Sequence, residues 1–371
     1  MASSTMKAIK IVEGNKAELQ DVPIPKLRDD YVLVKVKCVA LNPTDCRQTR
    51  EYRWGGLQYV SLPCLTQENG SLRLMCLVLG GVIEEIGSKV TKEWQKGDRV
   101  CGFVHGGNES QKEDGSFGEY CVMKGDLGLQ IPENMSFEEA ATLGTGVITC
   151  GQAMYQSLGL PEPGDGMEKY NGFFLVYGGS TATGTLAIQY AVLSGARVLA
   201  TASPHNHALL KALGAEEVFD YRDPSCASKI RDYTNDSLTL VLDCIAEGSS
   251  PAICSEAISS KGGAVGYLLK AEHDRKDVEN KRTLGYTVIG EAFTKGGNDM
   301  PAKPEDFEYC KRFFELTQKL VNAGQLAVHP PSVRGDGLVG VFDGLSELME
   351  GKVSGVKLVY RIDDTPTDRK A

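Results

Sequence analysis

Valines at 32, 34 and 36 alternate with Leu33, Lys35 and Lys37, a period of two that turns one face of an extended strand toward a core. Comparable runs cover 6–11, 31–40, 81–87, 96–103 and 118–122, and they are punctuated by Pro23, Pro25 and a Gly97-Asp98 turn signal. The first 140 residues therefore predict a mainly antiparallel β region. The pattern changes at Ser136, where Ser136 and Glu139 stand at capping-box spacing before a helix. Beyond it, short apolar runs at 173–177, 197–202, 217–220, 238–243, 263–267 and 287–290 are separated by helical stretches. Such alternation calls for a doubly wound parallel sheet with right-handed crossovers. Residues 304–322 then predict a helix, and 355–360 a last strand returning to the first domain. The expected domains are 1–142 with 303–371, β-rich, and 143–302, α/β.

Composition narrows the chemistry. At 371 residues, with 42% hydrophobic and 24% charged content, the chain suits a globular protein with two cores. A net charge of −9 and the lack of any Lys/Arg run exclude a nucleic-acid binder, which needs a basic footprint. The N-terminus shows no charged region followed by an apolar core, and the apolar stretch 70–86 is interrupted by Arg73 and too short to span a bilayer. A cytoplasmic protein without membrane partners is expected. Eleven cysteines with no C-x-x-C pair read as reduced thiols, and those at 38, 101 and 121 as small core residues.

The most informative stretch is 173–184, an apolar strand running through Gly178-Gly179-Ser180-Thr181-Ala182-Thr183-Gly184 into a helix. Glycines allow a tight turn with close backbone approach, and the helix start aims N–H groups at a pyrophosphate. The next strand ends in Thr201-Ala202-Ser203-Pro204-His205-Asn206, with no acid to hold an unphosphorylated ribose or repel a 2′-phosphate. NADPH is therefore the expected cofactor.

A β domain first, a dinucleotide fold inserted, and a closing β tail resemble the medium-chain dehydrogenase/reductase superfamily over nearly the whole chain. Gly97-Asp98-Arg99-Val100, Phe117-Gly118-Glu119-Tyr120, Ala140-Ala141-Thr142-Leu143 and Ser354-Gly355-Val356-Lys357 carry the resemblance. It implies an α/β class, with a GroES-like β-rich catalytic domain and a Rossmann doubly wound sheet. Zinc-dependent members would place ligands where this chain has Pro43, Leu77 and Val78, so no metal is expected.

A narrower similarity, through 176–183, 203–206 and 214–222, is to fungal trans-acting enoyl reductases of the lovastatin type, which serve iterative polyketide synthases. That resemblance implies NADPH-dependent reduction of the α,β-double bond of a polyketide thioester held on an acyl carrier protein, by a monomer. A free-standing quinone or enone reductase, and an inactive NADPH-binding protein, are the alternatives. The resemblance gives the pyrophosphate to Ser180, Thr181, Ala182 and Thr183, and the adenosine 2′-phosphate end to Ser203, Pro204, His205, Asn206 and Tyr221. It adds Thr44, Asp45, Cys46, Arg47, Leu268, Leu269, Val353 and Ser354 to the cofactor site. Thr149, Arg47 and Thr44 become the catalytic candidates, and Cys150, Gly151, Thr287, Val288, Ile289 and Gly290 the substrate contacts.

One tract departs from the family. Residues 60–80 run about fifteen residues longer than the usual loop and lack its G-x-D-x-A-G type turn. The tract reads as a translated intron or wrong splice, expected to pack poorly and to compromise activity, with a functional insert as the alternative.

Overall fold

The computed structural model describes residues 4–12, 16–47, 51–54, 57–59, 73–74, 78–164 and 166–367. The chain divides into two compact units, one of 1–145, 286–323 and 328–371, the other of 146–285 and 324–327.

The first unit opens with β1 (Thr5–Val12), β2 (Lys16–Pro23) and β3 (Tyr31–Ala40), then α1 (Pro43–Arg47). β4 (Glu51–Trp54), β5 (Leu57–Tyr59), β6 (Arg73–Leu74), β7 (Val78–Ile86), β8 (Arg99–Phe103), β9 (Tyr120–Lys124) and β10 (Gly128–Gln130) follow. One sheet runs β5-β4-β2-β1-β6. β3 lies at the heart of the larger sheet, antiparallel to β7 and β9, and Val32, Val34 and Val36 are buried as their alternation requires. Leu33, expected on the opposite face, is covered as well, beside Tyr31 and Val122. Cys38, Cys101 and Cys121 are buried on strands. Residues 60–72 and 75–77 of the anomalous tract lie outside the described residues, but 78–80 belong to β7, with Val78 and Leu79 fully buried. For those three positions the expectation of poor packing fails, because β3 and β8 flank them.

The capping box forms before α2 (Phe137–Ala140): Glu139 N–H donates to Ser136 Oγ at 3.2 Å, and Ser136 N–H to Glu139 Oε2 at 2.8 Å. α3 (Gly144–Cys150) leads into the second unit. There β11 (Phe173–Tyr177), α4 (Ala182–Leu193), β12 (Arg197–Thr201), α5 (His207–Ala212), β13 (Glu217–Phe219), α6 (Cys226–Tyr233), β14 (Leu240–Asp243), α7 (Ser250–Ala257), β15 (Gly263–Tyr267) and β16 (Val278–Arg282) alternate. All strand pairs are parallel, in the order β13-β12-β11-β14-β15-β16. Five of the six strands are the apolar runs expected from the sequence. The sixth is not: residues 287–290 fall in and just after a 3₁₀ turn, Gly285–Ile289, while the edge strand is the polar 278–282.

Residues 286–302, expected in the second domain, instead belong to the first unit. Thr287 donates its hydroxyl to buried Asp306, and Thr294 N–H donates to Ser110 Oγ at 2.8 Å. The hairpin β17 (Phe293–Lys295) and β18 (Asn298–Met300) lies in this segment. α8 (Pro304–Asn322) matches the expected helix and buries Cys310, Phe313, Phe314, Thr317, Leu320 and Val321, a helical stripe. β19 (Pro331–Arg334), α9 (Gly337–Met349) and β20 (Lys357–Arg361) complete the unit, β20 pairing with β3 as the returning strand.

Candidate functional site

In the second unit the turn after β11 has the geometry of a phosphate cradle. Gly178 takes φ of +75°, a conformation that glycine adopts freely, and its N–H donates to Thr201 Oγ1 at 3.0 Å. Gly179 N–H donates to Thr201 O at 2.9 Å, so β12 pins the turn from one side. Thr181 caps α4, its Oγ1 accepting from Gly184 N–H at 2.9 Å. Gly184 is set by contact, since a Cβ there would lie 2.4 Å from Gly178 O. The N–H groups of Ser180, Ala182 and Thr183 have no partner among the described residues, and all three residues are only half-buried. Unpaired donors at a helix start form an anion site, which suits the pyrophosphate of a nicotinamide cofactor.

Strand order places β11 beside β14, so the chain reverses direction across the sheet at this turn, where such folds bind ligands. At the end of β12, Ser203 opens a short 3₁₀ turn through Asn206 with no acid in it. Pro204 and His205 are exposed and Asn206 is buried. Tyr221, after β13, is 38% exposed, its ring 6.3 Å from that of Tyr177. The Arg222 guanidinium lies 5.6 Å from the Tyr221 ring, a neighbour that the missing acid after β12 does not point to. Asp220 is a nearby acid, but it follows β13 rather than β12 and is engaged by Arg222 at 3.1 Å. Leu268 and Leu269 follow β15, both half-buried.

Asp243, at the end of β14, belongs to no motif in the sequence. Fully buried, it accepts from Ile245 and Ala246 N–H at 2.9 and 2.8 Å and from Ser250 Oγ at 2.6 Å. It shapes the turn in which Ala246 takes φ of +53°, and burial raises its pKa despite those donors. Only its place at a strand's C-terminal end hinted at this in the sequence.

The helix carrying Thr149 lies on the start of α4. Cys150 Sγ is 3.7 Å from Thr183 O, and a Cβ on Gly146 would meet Leu186 at 2.5 Å. Thr149 is half-buried, and immediately after Cys150 the helix widens into a π-helical segment, Gly151–Ser157, a deformation frequent at functional sites. Cys150, expected at the substrate, turns its buried thiol to α4, and Gly151 is buried too.

In the first unit, Thr44, Asp45, Cys46 and Arg47 make up most of α1. Thr44 is half-buried with an Oγ1 that has no hydrogen-bond partner among the described residues. Asp45 does not offer its carboxylate to an open face: it is fully buried, accepts from Asn42 N–H at 2.7 Å, and is pushed up to about 7 by burial. Cys46 Sγ approaches Leu345 O at 3.6 Å. The Arg47 side chain lies outside the described residues. Val353 is half-buried against the core and Ser354 is exposed. Thr287, Val288 and Ile289 bury their side chains, and Gly290 has φ of +73°. Among the described residues no group of three or more His, Cys, Asp or Glu side chains is placed to hold a metal ion. No described helix is long and apolar enough to cross a membrane.

Residues 28–133 match the family described as alcohol dehydrogenase GroES-like domain, and residues 182–296 the zinc-binding dehydrogenase domain. These two domains in this order define a medium-chain dehydrogenase/reductase. The chain is 46% identical over 360 residues to the trans-enoyl reductase ACTTS2 of Alternaria alternata, covering 97% of this chain and 99% of that one. To the trans-enoyl reductase resD of Aspergillus sclerotiorum it is 42% identical, over 95% and 99%. The protein belongs to the fungal trans-enoyl reductases. The crystal structure of CurK enoyl reductase shares its fold, with a TM-score of 0.71 at 20% identity over 96% and 99% of the chains.

Proposed function

We propose that the protein is an NADPH-dependent enoyl reductase that acts in trans on an α,β-unsaturated polyketide thioester carried by the acyl carrier protein of an iterative polyketide synthase. Membership of the trans-enoyl reductases over nearly the whole chain is the observation that supports this reading. A nicotinamide cofactor supplies a hydride to the β-carbon of the enoyl group. The N–H groups of Ser180, Ala182 and Thr183 hold its pyrophosphate, while Ser203, His205, Asn206, Tyr221 and Arg222 receive the 2′-phosphate where an acid would repel it. The Thr149 hydroxyl stabilises the charge that develops on the thioester oxygen. The α-carbon takes its proton from water. A monomer fits the edge strand β16, whose Glu279, Asn280 and Arg282 are exposed and discourage edge-to-edge pairing.

The test is twofold. NADPH should bind at least about tenfold more tightly than NADH, about 1.4 kcal/mol, and Ser203→Glu should erase most of that preference. Equal affinities refute the cofactor assignment. A crotonyl-pantetheine mimic should be reduced in preference to a simple quinone; the reverse order would favour the free-standing quinone reductase.

A further inference from the structure

The buried polar residues at the head of α1 have no place in the chemistry above, yet they form one connected set. Lys357, only 6% exposed, donates from Nζ to Asn42 Oδ1 at 2.7 Å. Asn42, 4% exposed, gives its backbone N–H to Asp45 Oδ2 at 2.7 Å, with its side-chain Nδ2 3.5 Å from the same oxygen. The Asn42 amide thus lies between a buried cation and a buried carboxylate, its oxygen toward the cation and its N–H groups toward the anion. Buried charges are tolerated when paired and hydrogen-bonded, and such a chain fixes the orientation of its middle member. His329 is 2% exposed, and burial, with the charge of Lys357 as the lesser cause, lowers its imidazole to about 4 and keeps it neutral.

The position of the set gives it a consequence. α1 spans five residues, too few to be stable alone, so tertiary contacts decide where Thr44 and Arg47 sit. Asn42 immediately precedes it and Asp45 lies within it. Lys357 begins β20, three residues after Ser354. One network therefore ties together the two stretches of this unit, 44–47 and 353–354, that the family resemblance gives to the cofactor.

We propose that Lys357 is a positioning residue for cofactor binding and enoyl reduction, acting through Asn42 and Asp45 to set α1 and the 353–354 loop. The inference rests on the enoyl-reductase reading, but cofactor titration tests it without enoyl turnover. A wild-type protein that binds cofactor and reduces no thioester would thus sink the function and leave this proposal to the titration.

The experiment uses the full chain with Lys357→Met, Lys357→Arg and the double variant Lys357→Met/Asp45→Asn, reading melting temperature, NADPH affinity by fluorescence, and kcat and KM on crotonyl-pantetheine. Lys357→Met removes the counter-charge of the Asp45 carboxyl, which burial already pushes up to about 7, and should lower the melting temperature and weaken NADPH about tenfold or more. The double variant removes both charges and should recover most of the melting temperature, while NADPH affinity and kcat stay about tenfold down and the thioester KM changes little. Lys357→Arg, which keeps the cation, should restore part of both. Should Lys357→Met fail to fold, the other two variants carry the test. A double variant with wild-type NADPH affinity and kcat would overturn the proposal and leave Lys357 a neutralising charge only.

Discussion

Gly184→Ala probes the turn on which cofactor binding depends. In an ordinary helix the change would stabilise by about 1 kcal/mol. Here the new methyl would stand 2.4 Å from Gly178 O and 2.8 Å from both C and Cα of Gly179. Those are backbone atoms, and no rotation of a side chain relieves the contact. Gly178 and Gly179 are themselves pinned to Thr201, so the turn must shift against two hydrogen bonds or α4 must move away. Overpacking costs about 1–3 kcal/mol, and contacts this short against backbone fall in the upper part of that range, about 2–3 kcal/mol, which outweighs the helix gain and leaves a net loss of about 1–2 kcal/mol. For a unit of this size that corresponds to roughly 2–8 °C in melting temperature. The same shift disturbs the alignment of the Ser180, Ala182 and Thr183 N–H groups, so NADPH affinity should fall at least about tenfold. Calorimetry and fluorescence titration measure the two effects, with Gly335→Ala as control, since a Cβ there meets nothing within 4 Å. A Gly184→Ala protein as stable as the wild type, with unchanged NADPH affinity, would refute the steric argument.

Thr149→Val keeps the shape and removes the hydroxyl; it should lower kcat by about 10- to 100-fold with little change in NADPH affinity, and an unaltered kcat would remove Thr149 from the oxygen side. His329 is held neutral, with its folded-state pKa lowered to about 4 from 6.5, so the unfolded chain binds more protons between those values and stability falls as pH drops through that window. Against His329→Gln, the wild type should lose about 2 kcal/mol between pH 7 and pH 5 in denaturant unfolding. Asp45 and Asp114, raised to about 7 and about 6 by burial, act with the opposite sign, which is why the difference between the two proteins is the measurement. A flat difference would place His329 in a solvated setting. Dialysis against a chelator should leave melting temperature and activity unchanged, whereas one tightly bound zinc per chain would overturn the zinc-free assignment.

Local pattern determined much of this protein. The alternation of 32–37 marked β3, the helical stripe of 304–322 marked α8, and Ser136 with Glu139 marked a cap, because each signal lies within a few residues of its consequence. The turn at 178–184 was legible for the same reason: strand, glycines and helix cap are consecutive. The missing acid after β12 was equally plain. What the sequence misassigned depends on partners far along the chain. The run 287–290 is apolar enough for a strand, but the hydroxyl of Thr287 meets Asp306, and the segment joins the first unit. β16 is a strand despite its polar sequence because β15 offers it a parallel edge, and its other side needs no apolar cover. Asp45 reads as a site residue until tertiary structure buries it. Its setting is completed by Lys357, whose ammonium meets Asn42 across 315 positions of sequence, a pairing that only the closure of β20 onto β3 brings about. Periodicity reports which face of an element is covered, but which distant group covers it is decided when the sheets close.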